Sequence, residues 1–303
     1  MTKDDAGRRY FLAGQTLEAQ ALPGGLYLVA TPIGNLSDIS LRGLATLAAA
    51  DIIACEDTRV TRKLTDHYGI ATPLTAYHEH NAESARPKIL ARLEAGGAVA
   101  LVSDAGTPLI SDPGYKLVVA ARDAGHLVHA IPGASALLAA LTSAGLPTDR
   151  FFFEGFLPSK ATQRQARITE LAAIPATLVL YESGPRLDDS LADLAAGLGS
   201  REAAICRELT KLHEEVRRDT LNVLARHYAR DDSEKRGEFV IVIAPPENKP
   251  LLGADEIDAL ILASLKRQSV KDAVAEIVEA TGLPRRDVYQ RALALAKDGD
   301  AAR

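Results

Sequence analysis

The stretch Val99–Gly114, VALVSDAGTPLISDPG, carries the residues best placed to do chemistry. Asp104 and Asp112 stand in a loop without Lys or Arg, stiffened by Pro108, Pro113, Gly106 and Gly114. Such a loop presents backbone N–H and C=O groups to a ligand with few side chains in the way. Three further loops follow apolar runs: Thr31–Asp38 (TPIGNLSD), Glu56–Arg59 (EDTR) and Pro132–Ala136 (PGASA). None reads GxxxxGK[ST] and none opens a helix with GxGxxG, so neither a P-loop nor the common dinucleotide site is expected. The loops Thr31–Asp38, Ser103–Gly114 and Pro132–Ala136 lack a cation and offer Asp38, Asp104 and Asp112. That balance suits a ligand with a positive centre and no phosphate.

These loops need elements to hold them, and each follows an apolar run of strand length. The pattern predicts strands over Leu26–Ala30, Ile52–Cys55, Leu74–Tyr77, Val99–Val102 and His126–Ile131, alternating with helices over Ser40–Ala49, Arg59–His67, Ala85–Ala95, Tyr115–Ala124 and Ala134–Ala144. Alternation of this kind predicts an α/β fold with ligand loops at the carboxyl edge of the sheet. After a break at Leu146-Pro147-Thr148, a second α/β unit opens with Phe151-Phe152-Phe153. It continues through strands at Thr177–Tyr181, Ala203–Arg207 and Phe239–Ala244, and a helix at Leu187–Leu198. A charged turn is expected at 231–237 and a linker around Pro245–Pro250. Residues 254–300 read as helices over Asp255–Leu265, Val270–Ala280 and Arg285–Ala296; the last two, joined at Gly282–Pro284, have a helix-turn-helix pattern. The expected organisation is a flexible leader (1–23), an N-terminal α/β domain (24–146), a C-terminal α/β domain (147–246) and a small all-helical domain (254–300).

Composition narrows the class. The chain of 303 residues is 47% hydrophobic and carries a formal net charge of −5, which argues against nucleic-acid binding through bulk charge. Cys55 and Cys206 are far apart in apolar runs, as core residues of a reducing compartment are. No apolar run approaches a membrane span, and the cytoplasm is the expected location. His78-Glu79-His80 is weakly diagnostic of a metal site, and none is expected.

The segments LYLVATPIGNLSDISLRGLATL, ACEDTRVTRKL, YHEHN, LVSDAGTPLISDPG, IPGASA, FFEGFLP, LVLYESGPRL and RELTKLHEE, in this order from Leu26 to about Ala244, resemble the tetrapyrrole-methylase superfamily. Within it they resemble the branch that 2′-O-methylates a cytidine in the decoding centre of 16S ribosomal RNA, whose C-terminal helix-turn-helix the tail also resembles. Gly106-Thr107-Pro108 stands where tetrapyrrole-modifying members usually carry Gly-Asp-Pro, and TPIGNLSD is poorer in glycine than their first loop; both departures match the RNA branch. The resemblance implies two α/β domains with a cofactor cleft between them, a homodimer, and S-adenosylmethionine as methyl donor, whose cationic sulfonium agrees with the acidic loops. Alternatives are a tetrapyrrole methyltransferase and a non-catalytic ribosome-assembly protein.

Carried over residue by residue, the donor site uses Gly34, Asp104, Gly106, Thr107, Pro108, Leu109, Ile110, Ser135 and Ala136, with Tyr181 and Glu238 from the second domain. A ribose hydroxyl is a weak nucleophile and gains from a base or a nearby cation. The candidates are Glu56, Asp57 and Arg59; Lys211, His213 and Glu214 form a second set, and Glu182 a third. EDTR also reads as a capped helix start, and KLHEE as a solvated run. RNA contacts are expected from local charge: Arg62 and Lys63 beside Arg59; Arg164, near Lys160 and Arg167, with Arg186; and Lys266, Arg267, Arg285 and Arg286 in the tail. The tail holds nine carboxylates, and its helices equally suit dimerisation or capping.

Overall fold

The computed structural model describes residues 8–230, 236–246, 254–281 and 283–301. Most of the charged turn at 231–237, part of the linker 245–250, and Gly282 lie outside them. The chain divides into two compact units, 1–246 and 247–303.

The first unit opens with a hairpin, β1 (Arg9–Leu12) and β2 (Gln15–Glu18). Its two-residue turn, Ala13-Gly14, has φ of 50° and 82°, as a tight hairpin turn with both residues at positive φ requires. The expectation of a flexible leader over 1–23 is therefore corrected for residues 8–23. Tyr10 is buried, and the Phe11 N–H donates to the Tyr68 carbonyl at 2.6 Å, because the alternating apolar residues of RYFL give the hairpin one face to bury.

Five parallel strands then form the first sheet: β3 (Gly25–Val29), β4 (Ile52–Cys55), β5 (Leu74–Ala76), β6 (Ala98–Val102) and β7 (Val128–Ile131), in the order β5-β4-β6-β3-β7. The central runs are continuous rather than alternating because helices cover both faces; all five residues of β6 are buried. The helices are α1 (Leu41–Ala49), α2 (Thr58–His67), α3 (Ala82–Glu94), α4 (Tyr115–Asp123) and α5 (Ala136–Ser143). Ser40 caps α1 and Ser135 caps α5 through their side-chain oxygens.

The second sheet has the order β11-β10-β12-β9-β8, comprising β8 (Phe151–Phe156), β9 (Thr177–Ser183), β10 (Glu202–Arg207), β11 (Glu215–Thr220) and β12 (Glu238–Ile243). Only β8 and β9 run parallel; the other neighbours are antiparallel. Helices α6 (Ala161–Ala172), α7 (Leu187–Leu198) and α8 (Leu221–Tyr228) share its apolar core. The two sheets fall on either side of residue 147 yet pack as one body. Ala140 and Leu141 of α5 are buried with Val179, Cys206 and Val242 of the second sheet in a single cluster. The small side chains of α5 allow that close approach between the two α/β halves, each of which also keeps a core of its own.

In the second unit, α9 (Ala254–Leu265), α10 (Val270–Thr281) and α11 (Arg285–Ala301) bury Ile261, Val274, Ile277, Val288 and Ala292 against one another. No helix among the described residues is long and apolar enough to cross a membrane.

Candidate active site

The carboxyl edge of the first sheet faces the strand ends of the second across a cavity of about 420 Å³. All four sequence loops reach it: Ile33 after β3, Glu56 after β4, Asp104–Thr107 and Ile110–Asp112 after β6, and Ser135 and Ala136 after β7. The opposite wall holds Phe156, Tyr181, Glu182, Glu208, Lys211 and Glu238, among others.

The loops are tied to one another by backbone geometry. Thr31 and Gly106 exchange two hydrogen bonds, at 2.9 and 3.0 Å, in an isolated bridge. Gly106 sits at φ 82°, and a Cβ there would lie 3.3 Å from Ile33, so this turn needs glycine. The Thr107 hydroxyl donates to the Ala134 carbonyl at 3.2 Å, linking the third loop to the fourth. Across the cleft, the Tyr181 hydroxyl accepts from the Leu137 N–H at 3.2 Å, while its ring packs edge-on against Phe153 and Phe156. The hydroxyl of a second-sheet strand thus satisfies an open N–H in the first turn of α5.

Carboxylates dominate the electrostatics. Burial, reinforced by Asp104, Asp112 and Asp57, pushes the Glu56 carboxyl up. Burial also raises Asp112, against a Ser103 hydrogen bond. The cavity's lysine, Lys211, is bracketed by Glu208 at 2.9 Å and Glu238 at 2.7 Å. Burial opposes its charge, but these two hydrogen bonds prevail and hold its pKa above the usual lysine value. The bracket leaves the wall with more negative than positive charge, a setting for a cation.

Of the donor-site expectations, Asp104, Gly106, Thr107, Ile110, Ser135, Ala136, Tyr181 and Glu238 line the cavity. Pro108 and Leu109 do not: Pro108 is buried, and Leu109, at φ 74°, turns into the core beside Gly114. Gly34 lines a neighbouring cavity instead. Among the catalytic candidates, Glu56 alone of its set lines the cavity. Asp57 caps α2 and binds Arg59 at 2.6 Å; the Arg59 hydrogen bond lowers its carboxyl to about 2, a poor base, and Arg59 is exposed. Glu182 is committed to the Ser190 hydroxyl at 2.6 Å and the Ser183 N–H at 2.8 Å. His213 is exposed, and Glu214 accepts from the Thr210 N–H.

Two RNA-contact expectations are overturned. Arg164 is 6% exposed and paired with Asp193 at 2.6 Å, because α6 packs this side chain against α7. Arg186 turns inward to the Leu157 carbonyl and Glu182. Arg62 and Lys63 are exposed on α2; Lys266, Arg267, Arg285 and Arg286 are exposed on the second unit, with Arg267 held by Glu276 at 3.3 Å. The lining residues Phe156, Glu208 and Leu209 were missed. The left-handed backbone at Glu208, φ 47°, is a signal visible only in three dimensions.

Comparison with known proteins follows the same lines. The pattern of the tetrapyrrole (corrin/porphyrin) methylases matches residues 25–225, and that of the RsmI C-terminal HTH domain matches residues 252–296. Ribosomal RNA small subunit methyltransferase I of Mesorhizobium japonicum is 54% identical over 286 residues, covering 94% of this chain and 97% of that one. The protein of the same name from Escherichia coli O157:H7 is 44% identical over 89% of this chain and 95% of its own. Among solved structures, a cobalt precorrin-4 methyltransferase superposes with a TM-score of 0.55 at 18% identity, over 72% of this chain and 94% of that one. A Thermus thermophilus uroporphyrin-III C-methyl transferase complexed with S-adenyl homocysteine gives 0.51 at 20% identity, over 73% and 97%. The chain belongs to the tetrapyrrole methylases and, within them, to the ribosomal RNA small subunit methyltransferase I family.

Proposed function

We propose that the chain transfers a methyl group from S-adenosylmethionine to the ribose 2′-oxygen of a cytidine in the decoding centre of 16S ribosomal RNA, acting in the cytoplasm as a homodimer on the small subunit. The observation that carries this reading is an acidic cleft of about 420 Å³ in a chain 54% identical to a protein named for small-subunit methylation.

The donor set fits a sulfonium ligand. Glu56, Asp104 and Asp112 oppose one lysine that two glutamates already neutralise, and nothing in the lining matches a pyrophosphate clamp. Gly106 and Thr107 would hold the donor from one side, and Tyr181 and Glu238 from the other. Bound there, it would supply an electrophilic methyl carbon whose bonding pair stays with the sulfur, and the chain's part would be to take up the ribose hydroxyl proton. Glu56 is the base we assign to that proton, since its raised pKa makes it more proton-hungry than an ordinary glutamate. The remaining work of the chain is orientation, which the cross-tied loops perform.

The test is incubation with labelled S-adenosylmethionine and small subunits lacking the modification, followed by mapping of the label. Label on the ribose of one cytidine is the expected result. No incorporation, or label on a base, overturns the proposal.

A further inference from the structure

A second cavity of about 440 Å³ adjoins the first, and the two share Ile33, Asp104, Ala105 and Lys211 as a common wall. Its other sides combine an apolar surface (Leu36, Val60, Leu64) with Lys63 from the exposed basic face of α2. Apolar surface for a base beside a cation for a phosphate is the combination a nucleotide requires.

Lys211 is held at the partition with unusual care. Its stem crosses Gly34 so closely that a Cβ there would lie 2.4 Å from Lys211 Cγ. Its ammonium is fixed by Glu208 and Glu238, and Glu208 is itself fixed by the Glu238 N–H at 2.9 Å. Two non-glycine residues just before it, Glu208 and Thr210, adopt left-handed backbone at φ 47° and 67°. Strain of this kind persists where surrounding structure imposes it, commonly at functional sites. The mixed-charge run KLHEE, which from sequence reads as solvated surface, thus delivers one cation to the boundary between two cavities.

We propose that the second cavity receives the acceptor nucleotide, with Lys63 at its phosphate and Lys211 facing the ribose oxygen across the shared wall. This rests on the proposed function. In it, the third ammonium N–H of Lys211, beyond the two given to Glu208 and Glu238, donates to the ribose oxygen as the proton passes to Glu56 and the methyl carbon arrives, the role of a donor aimed at developing charge. The Glu208–Glu238 bracket keeps the ammonium protonated, so it acts as a hydrogen-bond donor and not as a base.

The test compares Lys211→Met, Lys211→Arg and Lys63→Met with the wild type. S-adenosylmethionine affinity is read by calorimetry, and kcat and KM by methylation of unmodified small subunits. Lys211→Met should lower kcat roughly a hundredfold without weakening donor binding, since it removes a cation from an acidic cavity, and Lys211→Arg should recover part of the rate. Lys63→Met should raise the KM for subunits about tenfold. An unchanged kcat in Lys211→Met, or a donor affinity that falls in step with its rate, overturns the assignment, as does an unchanged KM in Lys63→Met. Should Lys211→Met not fold, Gly34→Ala displaces the same stem and should give the same fall in kcat; a wild-type kcat there overturns the assignment equally. Wild-type turnover alone tests the proposed function, so the two failures are distinguishable.

Discussion

The Asp104 carboxylate accepts a hydrogen bond from the Asp57 N–H at 2.9 Å, joining the loop after β6 to the loop after β4. One acid therefore both lines the cavity and sets the position of Glu56, the residue preceding its donor. Asp104→Ala leaves that part-buried N–H unpaired, at a cost of about 1–3 kcal/mol. Thermal unfolding should show the loss, and calorimetry should show weakened donor binding. Asp104→Asn retains an acceptor and should recover most of the stability but not the affinity.

Glu56 ties rate and stability to pH in opposite senses. As a base it works only when ionised, so kcat should fall with decreasing pH through a value above the ~4.3 of an ordinary glutamate. Its folded-state pKa is raised, so its protonated form is the one the fold favours. Stability from this group is fully present below about pH 4 and is lost as pH rises through the raised folded value. Glu56→Gln should abolish turnover, flatten that part of the stability profile, and leave the protein no less stable at neutral pH.

Thr107 packs its hydroxyl on the Ala134 carbonyl at the cavity wall. Thr107→Arg would project a bulky cation into a space suited to a cation. Donor binding should disappear in calorimetry while circular dichroism stays native; unchanged affinity would place the donor elsewhere.

Arg164 and Arg62 separate structural from electrostatic arginines. Arg164→Ala leaves the Asp193 carboxylate, whose side chain is 15% exposed, with the Gln165 amide but no cation, and should destabilise by roughly 3 kcal/mol. Arg62→Ala should leave stability unchanged and reduce the salt dependence of subunit binding.

Among the described residues, those lining either cavity lie between Thr31 and Val240. A chain ending at Pro246 should therefore bind S-adenosylmethionine as the full chain does, by calorimetry. If the second unit docks the substrate, subunit methylation by the truncated chain should fall while donor affinity holds.

Much of this site was legible because its first half is written locally. A buried parallel strand must be apolar throughout and must stop abruptly, so VALV followed by SDAGTP marks both strand and loop. The acidity of the loops, Asp38, Asp104 and Asp112 with no cation, is likewise local. The second half is written across the chain. Lys211 is placed by Gly34, Glu208 and Glu238, which no local pattern connects. The strand β11, EVRRDT, escaped notice because as a sheet edge it buries little, and charges on such an edge discourage further pairing. Arg164 misled for the opposite reason: a charge in an amphipathic helix reads as solvated until its partner on α7 is known. Leu109 was misplaced because a left-handed residue reverses the direction its neighbours predict.

The order β5-β4-β6-β3-β7 also governs how the polypeptide is made. The strand β3 is synthesised first among the five, yet the two strands that flank it begin at Ala98 and Val128. An apolar run thus leaves the ribosome long before its strand partners exist, with only the β1–β2 hairpin and α1 near at hand to cover one face. Such non-local pairing folds slowly and exposes sticky surface meanwhile. The cavity closes only when Glu238–Val240 arrive, so no ligand can rescue the nascent chain, and early misassembly is the vulnerability this topology carries.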